Sequence, residues 1–330
     1  MAEPTQSKLN TKVWIITGPT SGIGRRTALQ LAKHDTVVLV GRDRRKLDDV
    51  EKAIRAQEGQ AVSVVCDLSD VMSARRAAAE IIALDLPIAG LLNNAGIMPT
   101  RPFQTAQGWD GTFATDHLGP FALTDALLPY LPDGANVVFI CSAVEDLERK
   151  PAVVAGFRGA RYISAEASAR GEWAPGGSSK PGFDAYATSK QANLATALAF
   201  ARETPRLRFN AVEPGFNPGS DLGRDANPTP RLLSKYVLAP LAPLIKYWST
   251  PKRAARVITA VLTDDTGGTG IYYDEKGRPM LGSARVRDPA FQDRVVAETR
   301  ALLATAAMEA APTKPLAFNE AEMRQEPLRQ

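Results

Sequence analysis

Short apolar runs rich in β-branched residues recur along the chain: VWIIT from Val13, TVVLV from Thr36, AVSVV from Ala61, IAGLL from Ile88, NVVFI from Asn136 and LRFNAV from Leu207. Runs of this kind suit strands covered on both faces, since a strand with one wet face alternates apolar and polar residues throughout. Between the first four lie RRTALQLAKH, RRKLDDVEKAIRAQ and ARRAAAEIIAL, built from good helix formers with apolar residues at helical spacing. The order predicts an α/β protein with a doubly wound parallel sheet and right-handed crossovers. GIYYD from Gly270 is a last candidate strand and would close the sheet.

Two stretches break the alternation. Residues 144–182 are rich in Gly, Ser, Ala and Arg, and residues 217–250 run from NPGSDLGRDANPTPRLL into the apolar, proline-broken YVLAPLAPLIKYW. Length and prolines both exclude a membrane span there. In open parallel sheets the ligand sits at the carboxyl ends of the strands. We therefore read 144–182 as a lid insertion and 217–250 as a substrate cover within one domain spanning 11–285. Residues 286–330 read as a C-terminal helix and, after Pro312, a polar tail.

With 44% hydrophobic and 23% charged residues among 330, the chain reads as an ordinary globular protein with ample core. The net charge of +4 is mild, and the densest charge cluster, RDRRK over 42–46, argues for a local anion site and against a nucleic-acid surface. Cys66 and Cys141 each end an apolar run, as expected of buried free thiols in a reducing compartment. No signal-like leader and no stretch of about 18 apolar residues occurs, so a cytoplasmic protein without an integral membrane segment is expected. His34 and His117 stand alone and suggest no metal site.

Directly after the first strand comes TGPTSGIG, over 17–24, opening a helix. Gly18, Gly22 and Gly24 allow a tight turn and close approach to a pyrophosphate, with Ser21 and Ile23 in the same turn and the helix amides meeting the charge. A glycine-rich turn alone is weak; its strand-to-helix context favours a dinucleotide and a Rossmann-type sheet. The second strand ends VLVGRD, where a ribose with free hydroxyls would call for an acid. Gly41 leaves room and Arg42 can pair with a 2′-phosphate, so NADP(H) is preferred over NAD. The alternative is that Arg42 is a solvated loop charge and Asp43 serves the ribose. Asp67, followed by Leu68, is placed to accept from an adenine amino group, although its simpler role is to cap the next helix within DLSD. In NNAG, over 93–96, Asn94, Ala95 and Gly96 suit a backbone lying against adenosine.

AYATSKQAN puts Tyr186 and Lys190 four positions apart, hence on one helix face. By itself the pair is far more readily a half-buried aromatic beside a solvated lysine than a phenol whose pKa an ammonium lowers. The set TGPTSGIG, NNAG, Ser142 after a strand and Tyr186-x-x-x-Lys190, in this order, resembles the short-chain dehydrogenase/reductase family, over residues 11 to 285 and in its compact branch. YATSKQANL, PGFNPGSDLGR and TGIYYDEKG look most like the branch with retinol dehydrogenases and protochlorophyllide reductases. The resemblance implies that Tyr186 is the acid that protonates a carbonyl oxygen, or the base in reverse. Lys190 then binds the nicotinamide ribose and lowers the phenol pKa, Ser142 donates to the same oxygen, and Pro214 and Gly215 line the nicotinamide.

Two positions depart from the family pattern. Asp116 stands where the family has an asparagine whose main-chain carbonyl serves a proton-relay water; its carboxylate would also attract Lys190. Gly219 fills the slot of a threonine that binds the nicotinamide amide, with Ser220 as a substitute. The long segment between Ser142 and Tyr186 resembles that of monomeric carbonyl reductases and points to a monomer. Its Phe157, Tyr162 and Trp173, with Leu238, Leu241, Leu244, Tyr247 and Trp248 of the later cover, imply a roomy apolar pocket, or else simply pack the covers onto the core. The expected function is reduction of a bulky apolar ketone or aldehyde by NADPH, or the reverse alcohol oxidation. Reduction of a conjugated carbon-carbon double bond and a catalytically weak cofactor-binding scaffold are the alternatives.

Overall fold

Within each central strand, successive side chains enter different layers. The computed structural model describes residues 12–99, 101–217 and 247–309. In β1 (Val13–Thr17) Val13 and Ile15 join one apolar cluster while Trp14 and Ile16 join the other; in β2 (Thr36–Gly41) Val38 and Val40 oppose Val37 and Leu39 in the same way. Every residue of β1 is buried, which is why its sequence shows no polar alternation. The sheet continues through β3 (Gln60–Val65), β4 (Ile88–Asn93), β5 (Asn136–Ile140), β6 (Arg208–Val212), β7 (Ile271–Tyr273) and β8 (Pro279–Met280) in the spatial order 3-2-1-4-5-6-7-8. All pairings are parallel except β7 with β8. GIYYD therefore supplies β7 but does not close the sheet: the turn after it brings β8 back as an antiparallel edge, too short to be read from an apolar run.

One face carries α1 (Gly22–Leu31), α2 (Arg44–Arg55) and a long helix at Pro251–Thr263. The other carries α3 (Val71–Ala83), α4 (Gly111–Phe113), a π-turn at Ala114–Leu118 and α5 (Gly119–Leu127). In the insertion lie α6 (Lys150–Ala155) and α7 (Ala165–Ala169), followed by α8 (Phe183–Glu203). We label Pro251–Thr263 α9 and the last helix, Pro289–Glu309, α10. α8 packs on β5, β6, α4 and α10 at once, so nearly every position from Ala185 to Phe200 is buried.

The cap of α3 is Asp70, whose carboxylate accepts from the Met72 amide at 2.9 Å. Asp67 instead folds a local turn, accepting from the Ser69 amide and hydroxyl at 2.9 and 2.7 Å, which corrects the expectation that it caps the helix. Of the three insertion aromatics, Tyr162 donates to Glu298 of α10 at 2.7 Å and meets the Phe291 ring edge-on, while Trp173 packs edge-on to Phe113. Those two anchor the insertion to the core; only Phe157 reaches toward Tyr186. Cys66 and Cys141 are free and buried, and burial pushes both thiols up, so neither is poised as a nucleophile. Among the described residues no helix is long and apolar enough to cross a membrane, and no group of His, Cys, Asp or Glu is arranged for a metal ion.

His117 ties three elements together. From the π-turn its Nδ1 meets Asn193 Oδ1 of α8 at 2.9 Å and its Nε2 meets Thr299 Oγ1 of α10 at 3.0 Å. Burial pushes its pKa down to about 4, so it folds as the neutral ring. The unfolded chain binds this proton near pH 6.5 and the folded one does not, so this contribution to stability is lost as pH falls from about 6.5 to 4. The stability advantage of the wild type over His117→Asn is therefore expected to shrink across that interval in urea titrations. An advantage that stays constant or grows on acidification would contradict it.

Candidate active site

Three elements bring polar groups to the carboxyl edge of β4, β5 and β6. Ser142 follows β5 in extended backbone and begins the turn at Ala143–Glu145. Tyr186 and Lys190 come from successive turns of α8, which places the Lys190 Nζ 5.2 Å from the centre of the Tyr186 ring. The Ser142 hydroxyl is close enough to the Tyr186 phenol to favour its ionised form. Asp116 enters from the π-turn, where the widened helical ring shifts the side-chain direction.

Lys190 and Asp116 form a buried ion pair, Nζ to Oδ2 3.2 Å, with side-chain exposures of 4% and 0%. The contact is charge against charge without hydrogen-bond alignment at Oδ2; Oδ1 accepts from the Ile97 amide at 2.7 Å. Gly96 makes room for the pair: a Cβ there would lie 3.2 Å from both Asp116 Oδ2 and Lys190 Nζ. The main-chain carbonyl of Asp116 accepts from Asn193 Nδ2 at 2.7 Å. Burial pushes the Asp116 carboxyl up to about 6 against the pull of Lys190 and the Ile97 amide. For Lys190, burial favours the neutral amine, but Asp116, with Tyr186 and Cys141, outweighs this and the group stays an ammonium. Burial pushes the Tyr186 phenol up to about 12; Lys190 and Ser142 oppose this, while the charges of Asp116 and Glu213 add to it.

At the other end of the edge, α1 begins with Ser21 in cap position but with no side-chain cap bond and no acid in the first turn. Gly22 takes φ +53°, and a Cβ on it would meet nothing within 4 Å, whereas a Cβ on Gly24 would lie 2.3 Å from the Gly18 carbonyl. The turn thus presses its own strands together behind and leaves the helix end open in front, the shape a pyrophosphate needs. Asn94 staples it, donating from Nδ2 to the Thr17 and Gly18 carbonyls at 2.8 and 3.2 Å. The buried Thr17 hydroxyl accepts from the amides of Asn94 and Ala95 at 2.9 and 3.0 Å. Arg42 is exposed with no ion-pair partner among the described residues, while Asp43 caps α2 through the Lys46 amide. Leu68 is buried behind Asp67, whose Oδ1 is held by Ser69.

Pro214 and Gly215 follow β6, Gly215 at φ +74°. The chain returns beside them: the Phe216 amide donates to the Tyr247 carbonyl and the Ser249 amide to the Phe216 carbonyl, both at 2.9 Å. Gly219, Ser220, Leu238, Leu241 and Leu244 lie outside the described residues, as does the tail after Pro312. Beside Tyr186, Phe157 stacks on Phe183 at 4.1 Å in a cluster with Met98, Val144 and Ala187. A separate cavity of about 630 Å³ lies between α7 and α10, lined in part by Trp109, Arg170, Glu298 and Leu302. Glu298 there is committed to Tyr162 and the Ala165 amide, and none of the groups above lines it. We place the site at the sheet edge.

Sequence reasoning passed over Thr17, Asn193 and Glu213. Thr17 was visible as the last strand residue before the glycines, and Asn193 as the position one turn beyond Lys190. Glu213, immediately before Pro214, is buried and accepts from the Ala143 and Gly215 amides.

The profile of the short chain dehydrogenase family matches residues 12–154. Polyprenol dehydrogenase of Mus musculus is 31% identical over 87% of this chain and 82% of its own. The chain belongs to the short-chain dehydrogenase family. Retinol dehydrogenase 13 of Mus musculus is 27% identical over 94% of this chain and 89% of its own. Among solved structures, a short-chain dehydrogenase of Shigella flexneri complexed with NADP superposes with a TM-score of 0.57 at 26% identity, covering 82% of this chain and all of that one. Membership makes the protein an oxidoreductase of a family that uses nicotinamide cofactors.

Proposed function

We propose that the protein transfers hydride between NADPH and the carbonyl carbon of a bulky, largely apolar ketone or aldehyde, or runs the reverse alcohol oxidation. One observation carries this reading: a buried ammonium, paired with Asp116, lies under the Tyr186 ring at the sheet edge, and the Ser142 hydroxyl is close enough to the phenol to favour its ionised form. Gly18, Ser21, Gly22, Ile23 and Gly24 would hold the pyrophosphate, and Arg42 the 2′-phosphate. Asp67 and Leu68 would face the adenine, Asn94, Ala95 and Gly96 the adenosine side, Lys190 and Tyr186 the nicotinamide ribose, and Pro214 and Gly215 the ring. Bound there, the cofactor supplies or accepts the hydride.

The chain's own groups handle the proton and the developing charge. With the carbonyl oxygen between Ser142 and Tyr186, the phenol passes its proton to that oxygen as the carbon gains hydride. Ser142 donates a hydrogen bond to the same oxygen while charge builds on it. Lys190 makes the phenolate left on Tyr186 less costly. A phenol near 12 is protonated at neutral pH, so the resting protein is set for reduction. In oxidation the phenolate takes the alcohol proton, and rates rise with pH.

NADP over NAD is supported by Arg42, exposed and without an ion-pair partner among the described residues, and by Asp43 being engaged as a cap. The apolar wall of Phe157, Phe183, Met98 and Val144 beside Tyr186 supports the substrate class, in keeping with relatives whose names specify polyprenol and retinol, both apolar alcohols. The insertion and α10 cover one face of α8, which supports a monomer.

A panel of bulky ketones and aldehydes is expected to consume NADPH, and Tyr186→Phe to lower turnover by about 10²- to 10⁴-fold. Rates equal to those of this variant on every substrate would leave a cofactor-binding scaffold. Arg42→Ala is expected to weaken NADPH binding by about 10- to 100-fold, the loss of a charge-assisted pair, and to leave NADH binding unchanged; equal effects on both cofactors would reject the 2′-phosphate role. Asp116→Asn removes one of the charges that raise the phenol, so the alkaline rise in alcohol oxidation moves to lower pH. A pH–rate profile identical to the wild type would remove any special role for the acid.

A further inference from the structure

Glu213 stands at the end of β6 with its carboxyl group inside the protein, 8% exposed. Its Oε1 accepts from the Gly215 amide at 3.1 Å, and its Oε2 accepts from the Ala143 amide. These two amides belong to different loops. Ala143 follows Ser142 directly and is the first residue of the turn into the insertion; Gly215 is the left-handed residue of the turn after β6. The main chain of Glu213 is itself fixed, its amide donating to the Tyr273 carbonyl of β7 at 2.8 Å. A rigid strand end therefore holds both loops through one planar group.

A carboxylate suits this task because it presents two acceptors in one plane and no donor. Its charge is also met from the insertion side: Arg149 lies close enough to favour the ionised form, and the same guanidinium sits 4.5 Å above the Tyr247 ring. Burial alone works against the charge, pushing the carboxyl up. The two amides and Arg149 oppose that push, and Glu275 adds to it.

We propose that Glu213 is a positioning residue that sets the aim of the Ser142 hydroxyl and ties it to the turn at Pro214 and Gly215. The inference rests on the reading of Ser142 as the donor to a substrate oxygen. Fixing the Ala143 amide fixes the backbone that carries Ser142, so the hydroxyl keeps its direction toward Tyr186. Fixing the Gly215 amide holds the turn that would lie against the nicotinamide, so hydride donor and hydrogen-bond donor share one frame. Glu213 touches neither substrate nor cofactor in this scheme.

The test is a double-mutant cycle with Glu213→Gln and Ser142→Ala, reading kcat on one ketone and the Kd for NADPH by fluorescence. Glutamine has a single acceptor and turns an amide donor toward one of the two backbone N–H groups. Glu213→Gln is expected to lower kcat by about tenfold or more and to weaken NADPH binding severalfold. In the Ser142→Ala background the same change should lower kcat by less than about twofold, since the hydroxyl it aims is gone. Losses that multiply in full, or a Glu213→Gln enzyme with wild-type kcat and Kd, would overturn the proposal. Glu213→Asp, which keeps both acceptors on a shorter stem, should fall between the two, and it takes over the cycle if the glutamine variant does not fold. If the wild type consumes NADPH with no carbonyl, the functional reading fails on its own. The NADPH Kd then still decides the tie to the Gly215 turn, and an unchanged value in the variants would reject it.

Discussion

An ammonium lies buried beneath the ring of Tyr186, and taking such a charge out of water costs several kcal/mol unless something pairs with it. Asp116 provides the pairing at 3.2 Å, and much of the surrounding structure is arranged so that it can. The helix that carries Asp116 widens into a π-turn at this point. Position 96 has no side chain, because a methyl group there would press on both charges. The Ile97 amide holds the free carboxylate oxygen, and Asn193, one turn past Lys190, holds the carbonyl of the same aspartate. Behind Asn193 the neutral ring of His117 reaches Thr299, so the pair is braced as far as the last helix.

This brace explains how a site assembled from loops keeps its geometry. Ser142, the Gly18–Gly24 turn and the Pro214–Gly215 turn all sit past strand ends, where the backbone has left the ladder. Each is tied back by a short-range polar contact: Thr17 and Asn94 behind the glycines, Glu213 between Ser142 and Gly215. The sheet supplies rigid strand ends at fixed spacing, and these buried polar groups carry that rigidity the last few ångströms. Removing any of them leaves a buried donor or acceptor without a partner, which costs roughly 1–3 kcal/mol and loosens the loop it held.

The strands and their two-sided burial were legible in the sequence because a strand covered on both faces has no polar alternation, and β1 and β5, buried at every position, obey this. The Tyr186 and Lys190 face was legible because helical spacing is local. Contacts that depend on a second element were not. That Asp70 and not Asp67 caps α3 turns on a one-turn choice between two equally good capping residues. β8 is two residues long, and only its pairing with β7 makes it a strand. Tyr162 and Trp173 looked like pocket residues because composition says where an aromatic is and not which way it turns; their partners lie on α10 and α4, far away in sequence. Glu213 gives no signal of its own in the sequence, and its meaning comes from Ala143 seventy residues earlier.

The two buried acids also act on the chemistry by charge alone. Asp116 and Glu213 flank Tyr186 from different elements, and both push the phenol toward its protonated form, while Lys190 pulls the other way. Burial raises both carboxyls. The balance at the phenol therefore depends on three titrating groups within one cluster, and its proton comes on and off as a property of the set. A family asparagine at position 116 would contribute the carbonyl without the charge. With aspartate there, the ammonium is held by a carboxylate of this chain, and the tyrosine keeps its proton to higher pH than Lys190 alone would dictate. That bias favours the acid form needed to complete a reduction, and it arises from the same ion pair that makes the buried lysine possible.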